Sequence, residues 1–167
     1  AAPPTEEVID MPALVNAMAD EARTISKGRH AIDVEIATTA RMRGAAAEIE
    51  SAIRNLLTNA IRYTPDEGRI TLSWQIRDNE GWITVRDTGI GIGAEHVPRL
   101  TERFYRVERG RSRETGGTGL GLAIVKHVLQ RHHGRLNISS EPGLGSAFSL
   151  RFPAERLVAA QEETTVG

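Results

Sequence analysis

Apolar residues recur at helical spacing between Asp10 and Lys27, at Leu14, Val15, Met18, Ala19, Ala22 and Ile25, and Gly28 closes the run. Ala31 to Thr38 alternates instead, which is the period of a strand. A second helix is predicted over Ala46–Tyr63, where Ile49, Ile53, Leu56, Leu57 and Ala60 form one stripe and Pro65 with Gly68 marks the exit. Arg69 to Arg77 and Trp82 to Arg86 alternate again. The turn composition Asp78-Asn79-Glu80-Gly81 between them reads as a hairpin.

From Gly89 to Gly117 the pattern breaks down. The segment is polar, Arg-rich and punctuated by glycine, with one short helical patch over Ala94 to Phe104, and loops of this length are usually functional or mobile. Thr118 to His133 then reads as the third main helix, and strands are expected near Arg135 to Ser140 and Ala147 to Phe152, joined by Pro142-Gly143-Leu144-Gly145. Such an order predicts an α+β two-layer sandwich, a mixed but mostly antiparallel sheet of about five strands with three main helices on one face. Residues 1–9, opening on Ala1-Ala2-Pro3-Pro4, read as a linker edge, 10–153 as the domain, and 154–167 as a loose tail.

Composition narrows the function classes. One domain is expected for 167 residues, and the net charge of -1 gives no global reason to expect nucleic acid or an anionic membrane as partner. The absence of cysteine removes disulfides, thiolate metal sites and a Cys nucleophile. No apolar run approaches the roughly 18 to 20 residues that cross a bilayer, so the chain as given is expected to be soluble.

Four elements carry candidate chemistry. The run Gly116-Gly117-Thr118-Gly119-Leu120-Gly121-Leu122 precedes apolar helical sequence, so its backbone N–H groups could cradle a phosphate at a helix N-terminus. A flexible loop followed by a new helix would have the same composition, and the run lacks both the Lys-Ser/Thr ending of a P-loop and the spacing of a dinucleotide fingerprint. Asn55, Asn59, Arg62 and Tyr63 share one helical face. Their amide oxygens suit Mg²⁺, although isolated asparagines at this spacing are often solvated or capping. Asp87 leaves a strand into the glycine-rich Asp87-Thr88-Gly89-Ile90-Gly91-Ile92-Gly93, where a carboxylate could accept from adenine N6 or simply form an Asx-turn. Arg99, Arg103, Arg106, Arg109, Arg111 and Arg113 are interleaved with Glu102, Glu108 and Glu114, a local positive excess for which phosphate is the natural counter-charge. Arg106 is the first candidate, and most of the others read equally as solvated surface.

The order of these elements resembles the N, G1, F and G2 boxes of the ATP-binding domain of sensor histidine kinases, within the superfamily that includes gyrase, Hsp90 and MutL. NLLTNAIRYTP, DTGIGI, LTERFYRV and TGGTGLGLAIVKH are the counterparts, and the resemblance covers about Asp10 to Pro153. It implies a Bergerat-type fold holding Mg-ATP between sheet and lid. Asn59 and Asn55 would serve the metal, Asp87 would read adenine, and Gly89, Ile90, Gly91 and Ile92 would lie against the base. Arg62, Tyr63 and Arg106 match positions near the phosphates, with Arg111 and Arg113 further along the lid. Gly117, Thr118, Gly119, Leu120, Gly121 and Leu122 match the phosphate loop, and Ser146 the hydroxyl beside adenine. Arg62 stands where a Lys is common, and Thr101 where the lid box usually has Phe.

In such kinases the phosphate goes to a histidine in a motif resembling H-E-[LI]-[RK]-T-P on a separate helical hairpin. His30, His96, His127, His132 and His133 lack those neighbours and read as structural or surface residues. The implied partners are a dimerisation and phosphoacceptor domain of the same kinase and a cognate response regulator, PhoB-like if the phosphate-starvation branch applies. The isolated domain is expected to be a monomer and the full-length protein a homodimer on the cytoplasmic side of the bacterial inner membrane. Two rivals share the site. An ATP-hydrolysing clamp would need a Glu general base where Asn55 stands, and an amide cannot take a proton from water at neutral pH. A nucleotide-binding module without catalysis would retain every glycine.

Overall fold

The computed structural model describes residues 5–91 and 120–159. Strands β2 (Ala31–Ile36), β4 (Arg69–Arg77), β5 (Glu80–Asp87), β6 (Arg135–Glu141) and β7 (Gly145–Phe152) form a five-stranded sheet in the order β2-β4-β5-β7-β6. Only β2 and β4 are parallel; the other three pairings are antiparallel. Helices α1 (Met11–Ser26), α2 (Ala46–Tyr63) and α3 (Leu120–Arg131) cover one face. This is the two-layer α+β sandwich that the hydrophobic pattern predicts.

Strand alternation sends Ile32, Ile70, Leu72, Trp74, Ile83, Val85, Leu150 and Phe152 toward the helices, where they meet Val15, Met18, Ile49, Ile53, Leu57, Val125 and Leu129. Trp74 is wholly buried and its indole N–H donates to Ala40 O at 3.2 Å, so the largest core side chain has no unpaired polar atom. The polar faces of β4, β5 and β7 point away from the helices. There Arg77 and Arg151 stack on Trp82, each 4.7 Å from the ring, and Thr84 and Ser149 share a hydroxyl bond.

Local signals fix the helix ends. The Asp10 carboxylate accepts from Ala13 N–H and caps α1, with Pro12 in its first turn, and Lys27 ends the helix in the left-handed region. α2 stops at Thr64, because the residue before Pro65 is pushed to extended geometry. At its start Ala45 offers no side-chain cap; His132 at the end of α3 accepts the Ala45 N–H at 3.0 Å.

Three strands differ from the expectation. β1 (Glu7–Ile9), β3 (Arg41–Gly44) and β8 (Leu157–Val158) form a second small sheet in the order β1-β3-β8. Glu7–Ile9 therefore belongs to the folded unit instead of a linker, and the segment after Pro153 turns through Ala154–Arg156 into β8 instead of trailing loose. Two to four residues are too few to display a period, and their partners lie far off in sequence. The predicted helical patch over Ala94 to Phe104 and the rest of residues 92–119 lie outside the described residues.

Candidate functional site

The C-terminal half of α2 and the end of β5 meet at one edge of the sandwich. Asn55, Asn59, Arg62 and Tyr63 are half-buried, while Ile53, Leu56, Leu57, Ala60 and Ile61 on the other flank are buried in the core. Asn59 Oδ1 accepts from the Arg62 guanidinium at 3.1 Å. Asn55 Nδ2 donates to Ser51 O at 2.8 Å, which turns the side chain's donor inward and leaves its amide oxygen as the group able to meet a ligand.

Asp87 is the last residue of β5, is only 8% exposed, and lies directly opposite Ser146 on β7. Its Oδ1 accepts the Gly89 N–H at 2.9 Å. Burial pushes the carboxyl above its ordinary range, opposed by the backbone N–H groups of Gly89 and Ser146. The Asx-turn reading and the functional one are thus compatible: one bond to Gly89 fixes the carboxylate and leaves acceptor capacity for an exocyclic amine. Ser146 is buried, with its hydroxyl 2.8 Å from that of Ser140.

Two glycines set the turn against the β6–β7 hairpin. Gly91 has φ +73°, and a Cβ there would land on the Glu141 carbonyl. Gly145 has φ +127°, and a Cβ there would land on the Asp87 carbonyl. Gly143 N–H donates to Ile90 O at 2.7 Å, so backbone packs on backbone between the two segments. On the other side the turn touches α2: the Gly89 α-carbon lies so near Tyr63 O that a Cβ would come within 2.6 Å.

The structure therefore brings together Tyr63, Asp87, Gly89, Ile90, Gly91 and Ser146, with Asn55, Asn59 and Arg62 on the preceding turns of α2. Leu120, Gly121 and Leu122 form the first turn of α3, whose N–H groups have no partner within the helix, as an anion cradle requires. Ile92, Arg106, Arg111, Arg113, Gly117, Thr118 and Gly119 lie outside the described residues. Sequence reasoning missed Thr64 and Gly145. Thr64 is buried, its hydroxyl lacks a hydrogen-bond partner among the described residues, and it faces the same Gly89 α-carbon. The Thr-Pro step marked it only as a helix exit. His30 and His132 are buried and hydrogen-bonded, and His127 and His133 are exposed, as a structural or surface reading expects; His96 lies outside the described residues. Among the described residues no cluster of three or more His, Asp and Glu side chains could hold a metal.

Comparison with known proteins identifies the family and the fold. The family model of histidine kinase-, DNA gyrase B- and HSP90-like ATPases matches residues 44–156. The phosphate regulon sensor protein PhoR of Pseudomonas aeruginosa is 46% identical over 162 residues, covering 96% of this chain and 37% of its own length. The sensor-like histidine kinase SenX3 of Mycolicibacterium smegmatis is 39% identical over 151 residues, 90% of this chain and 39% of its own. Among solved structures, the mycobacterial sensor histidine kinase MprB superposes with a TM-score of 0.76 at 27% identity, over 89% of this chain and 97% of that one. Full-length ShkA in complex with AMPPNP shares the fold, with a TM-score of 0.81 at 23% identity over 96% of this chain and 33% of that one. The chain spans a little over a third of the length of these curated relatives.

Proposed function

The chain belongs to the histidine kinase-, DNA gyrase B- and HSP90-like ATPases, and from that membership we propose that it binds Mg-ATP and presents the γ-phosphate to a histidine on a separate phosphoacceptor domain. The observation that carries this reading is Asp87: a buried carboxylate at a strand end, fixed by Gly89 and Ser146, in a turn whose glycines let backbone pack closely on α2 and the β6–β7 hairpin. It accepts from the adenine amine and disfavours a base with a carbonyl there. Asn59, assisted by Asn55, would hold the metal, and Arg62 and Tyr63 would serve the phosphates. The motif order assigns Arg106, Arg111, Arg113 and Gly117 to Leu122 to the phosphates as well. Mg²⁺ would neutralise phosphate charge. Little covalent chemistry falls to the protein, whose part is to position and to stabilise charge.

Asn55 separates this reading from the hydrolytic clamp. Its amide is not a base and is bonded to Ser51, so no described side chain one turn before Asn59 can activate water. The domain, taken as residues 10–153 plus the small flanking sheet, is a monomeric module of a longer homodimeric sensor kinase at the cytoplasmic face of the inner membrane. No described helix is long and apolar enough to cross a membrane. Phosphate-starvation signalling through a PhoB-like response regulator fits the similarity to PhoR.

Mixing the domain with a His-bearing hairpin of a PhoR-type kinase and labelled ATP tests it. Label should appear on the histidine. ATP binding without phosphohistidine would favour the non-catalytic module, and phosphate release by the domain alone would favour the clamp.

A further inference from the structure

A chain of buried polar groups links the end of α1 to the end of α2. The Ser26 hydroxyl accepts His30 N–H at 3.1 Å and lies 2.9 Å from His30 Nδ1. On the other side of the ring, His30 Nε2 is 2.7 Å from Thr64 O. A carbonyl can only accept, so Nε2 carries the proton and Nδ1 accepts from Ser26. All three residues are more than nine-tenths buried. The same stretch is clamped by Glu67 N–H on Arg29 O at 2.7 Å and Ala31 N–H on Gly68 O at 3.0 Å. His30 thus holds the Thr64 carbonyl at the point where Pro65 has ended α2.

That end forms one wall of the adenine turn. Tyr63 O, Thr64 Oγ1 and Asp87 Oδ1 surround one point beside the Gly89 α-carbon, at 2.6, 3.1 and 2.9 Å from where a Cβ would stand, and Ile90 N–H donates to Tyr63 O at 3.4 Å. A shift of Thr64 by a few tenths of an ångström would close or loosen that contact. We infer that His30 is a positioning residue for adenine recognition, holding Thr64 and Tyr63 against the Asp87–Gly91 turn through its Nε2–H. This rests on the nucleotide reading above and adds to it a residue remote from the ligand.

Two substitutions separate the bond from the bulk. His30→Gln can place an amide N–H where Nε2–H stands; His30→Asn is one bond shorter, keeping reach to Ser26 and losing it to Thr64. Adenosine, ADP and ATP are titrated onto each folded variant, with amide exchange followed at Gly89 and Ile90. His30→Gln should bind within about twofold of the parent, whereas His30→Asn should bind all three about tenfold more weakly, by one common factor, with faster exchange at both amides. Parent-like affinity in His30→Asn despite a lowered melting temperature would overturn the proposal. So would a loss that grows with the number of phosphates, or failure of both variants to fold, which would make the histidine a support of the whole domain. A parent that bound no adenosine or nucleotide would instead overturn the function proposed above.

Discussion

Arg62 donates to the amide oxygen of Asn59 at 3.1 Å, one helical turn away, so the proposed metal ligand and the proposed phosphate cation are bonded to each other. The amide oxygen has a second lone pair, so Asn59 could hold a cation while Arg62 stays bonded to it. Asn59→Ala should remove most of the ATP affinity gained on adding Mg²⁺, and Asn55→Ala less of it. Calorimetric titration with Mg²⁺ and with EDTA checks this; identical parent affinity in both buffers would remove the metal from the site.

Asp87 opposes stability to function. Because burial raises its carboxyl above the ordinary Asp value, its favourable share of folding is complete at low pH, below that ordinary value, and is lost as pH rises through the raised one. At neutral pH the ionised group therefore costs stability. Asp87→Asn should melt higher than the parent at pH 7, with the gap narrowing on acidification, yet bind ATP at least about tenfold more weakly, since an amide N–H would face the adenine amine. A variant that melts lower at pH 7, or binds as the parent does, contradicts this.

The β6–β7 hairpin offers an internal control. Gly143 and Gly145 both have positive φ, but a Cβ at Gly143 meets nothing within 4 Å and one at Gly145 strikes the Asp87 carbonyl. Gly143→Ala should cost about 1 kcal/mol and leave ATP affinity alone. Gly145→Ala should cost more and also weaken binding, because it displaces Asp87. Chemical denaturation beside nucleotide titration distinguishes them; matched affinities would show that the hairpin does not hold the turn.

Arg156 joins the small sheet to α3. It donates to His132 O at 2.7 Å and Arg43 O at 3.1 Å and pairs with Glu6, whose carboxyl it holds below the usual range. Arg156→Ala should cost about 1–3 kcal/mol and speed exchange in β1 and β8, with the five-stranded sheet unaffected. Uniform exchange across both sheets would argue against a local clip.

Arg106 tests the division between binding and transfer. Arg106→Ala should slow phosphotransfer to the hairpin by more than it weakens ATP binding, since charge stabilisation is needed most during transfer. Equal losses in titration and in single-turnover transfer would refute that assignment.

Much of this site is legible along the chain. The Asn55 and Asn59 spacing, the Asp87 turn and Arg62 share short segments whose periods are clear, and each lies on the predicted helix or strand end. What escapes is cross-chain. Nothing local marks Gly145 as the residue that makes room for Asp87, or His30 as the donor to Thr64, because each role exists only where segments 58 and 34 residues apart come into contact.

Periodicity and residue chemistry are properties of neighbours, so the three described helices, the long strands and the groups proposed to meet a nucleotide can all be read along the chain. Tertiary structure decided the rest. Pairing across distant segments built β1-β3-β8 from stretches too short to show a period, drew the C-terminal strand into the fold, and set the burial that raises Asp87. Burial and partner geometry arise only when separate elements exclude water together, which no single stretch of chain encodes.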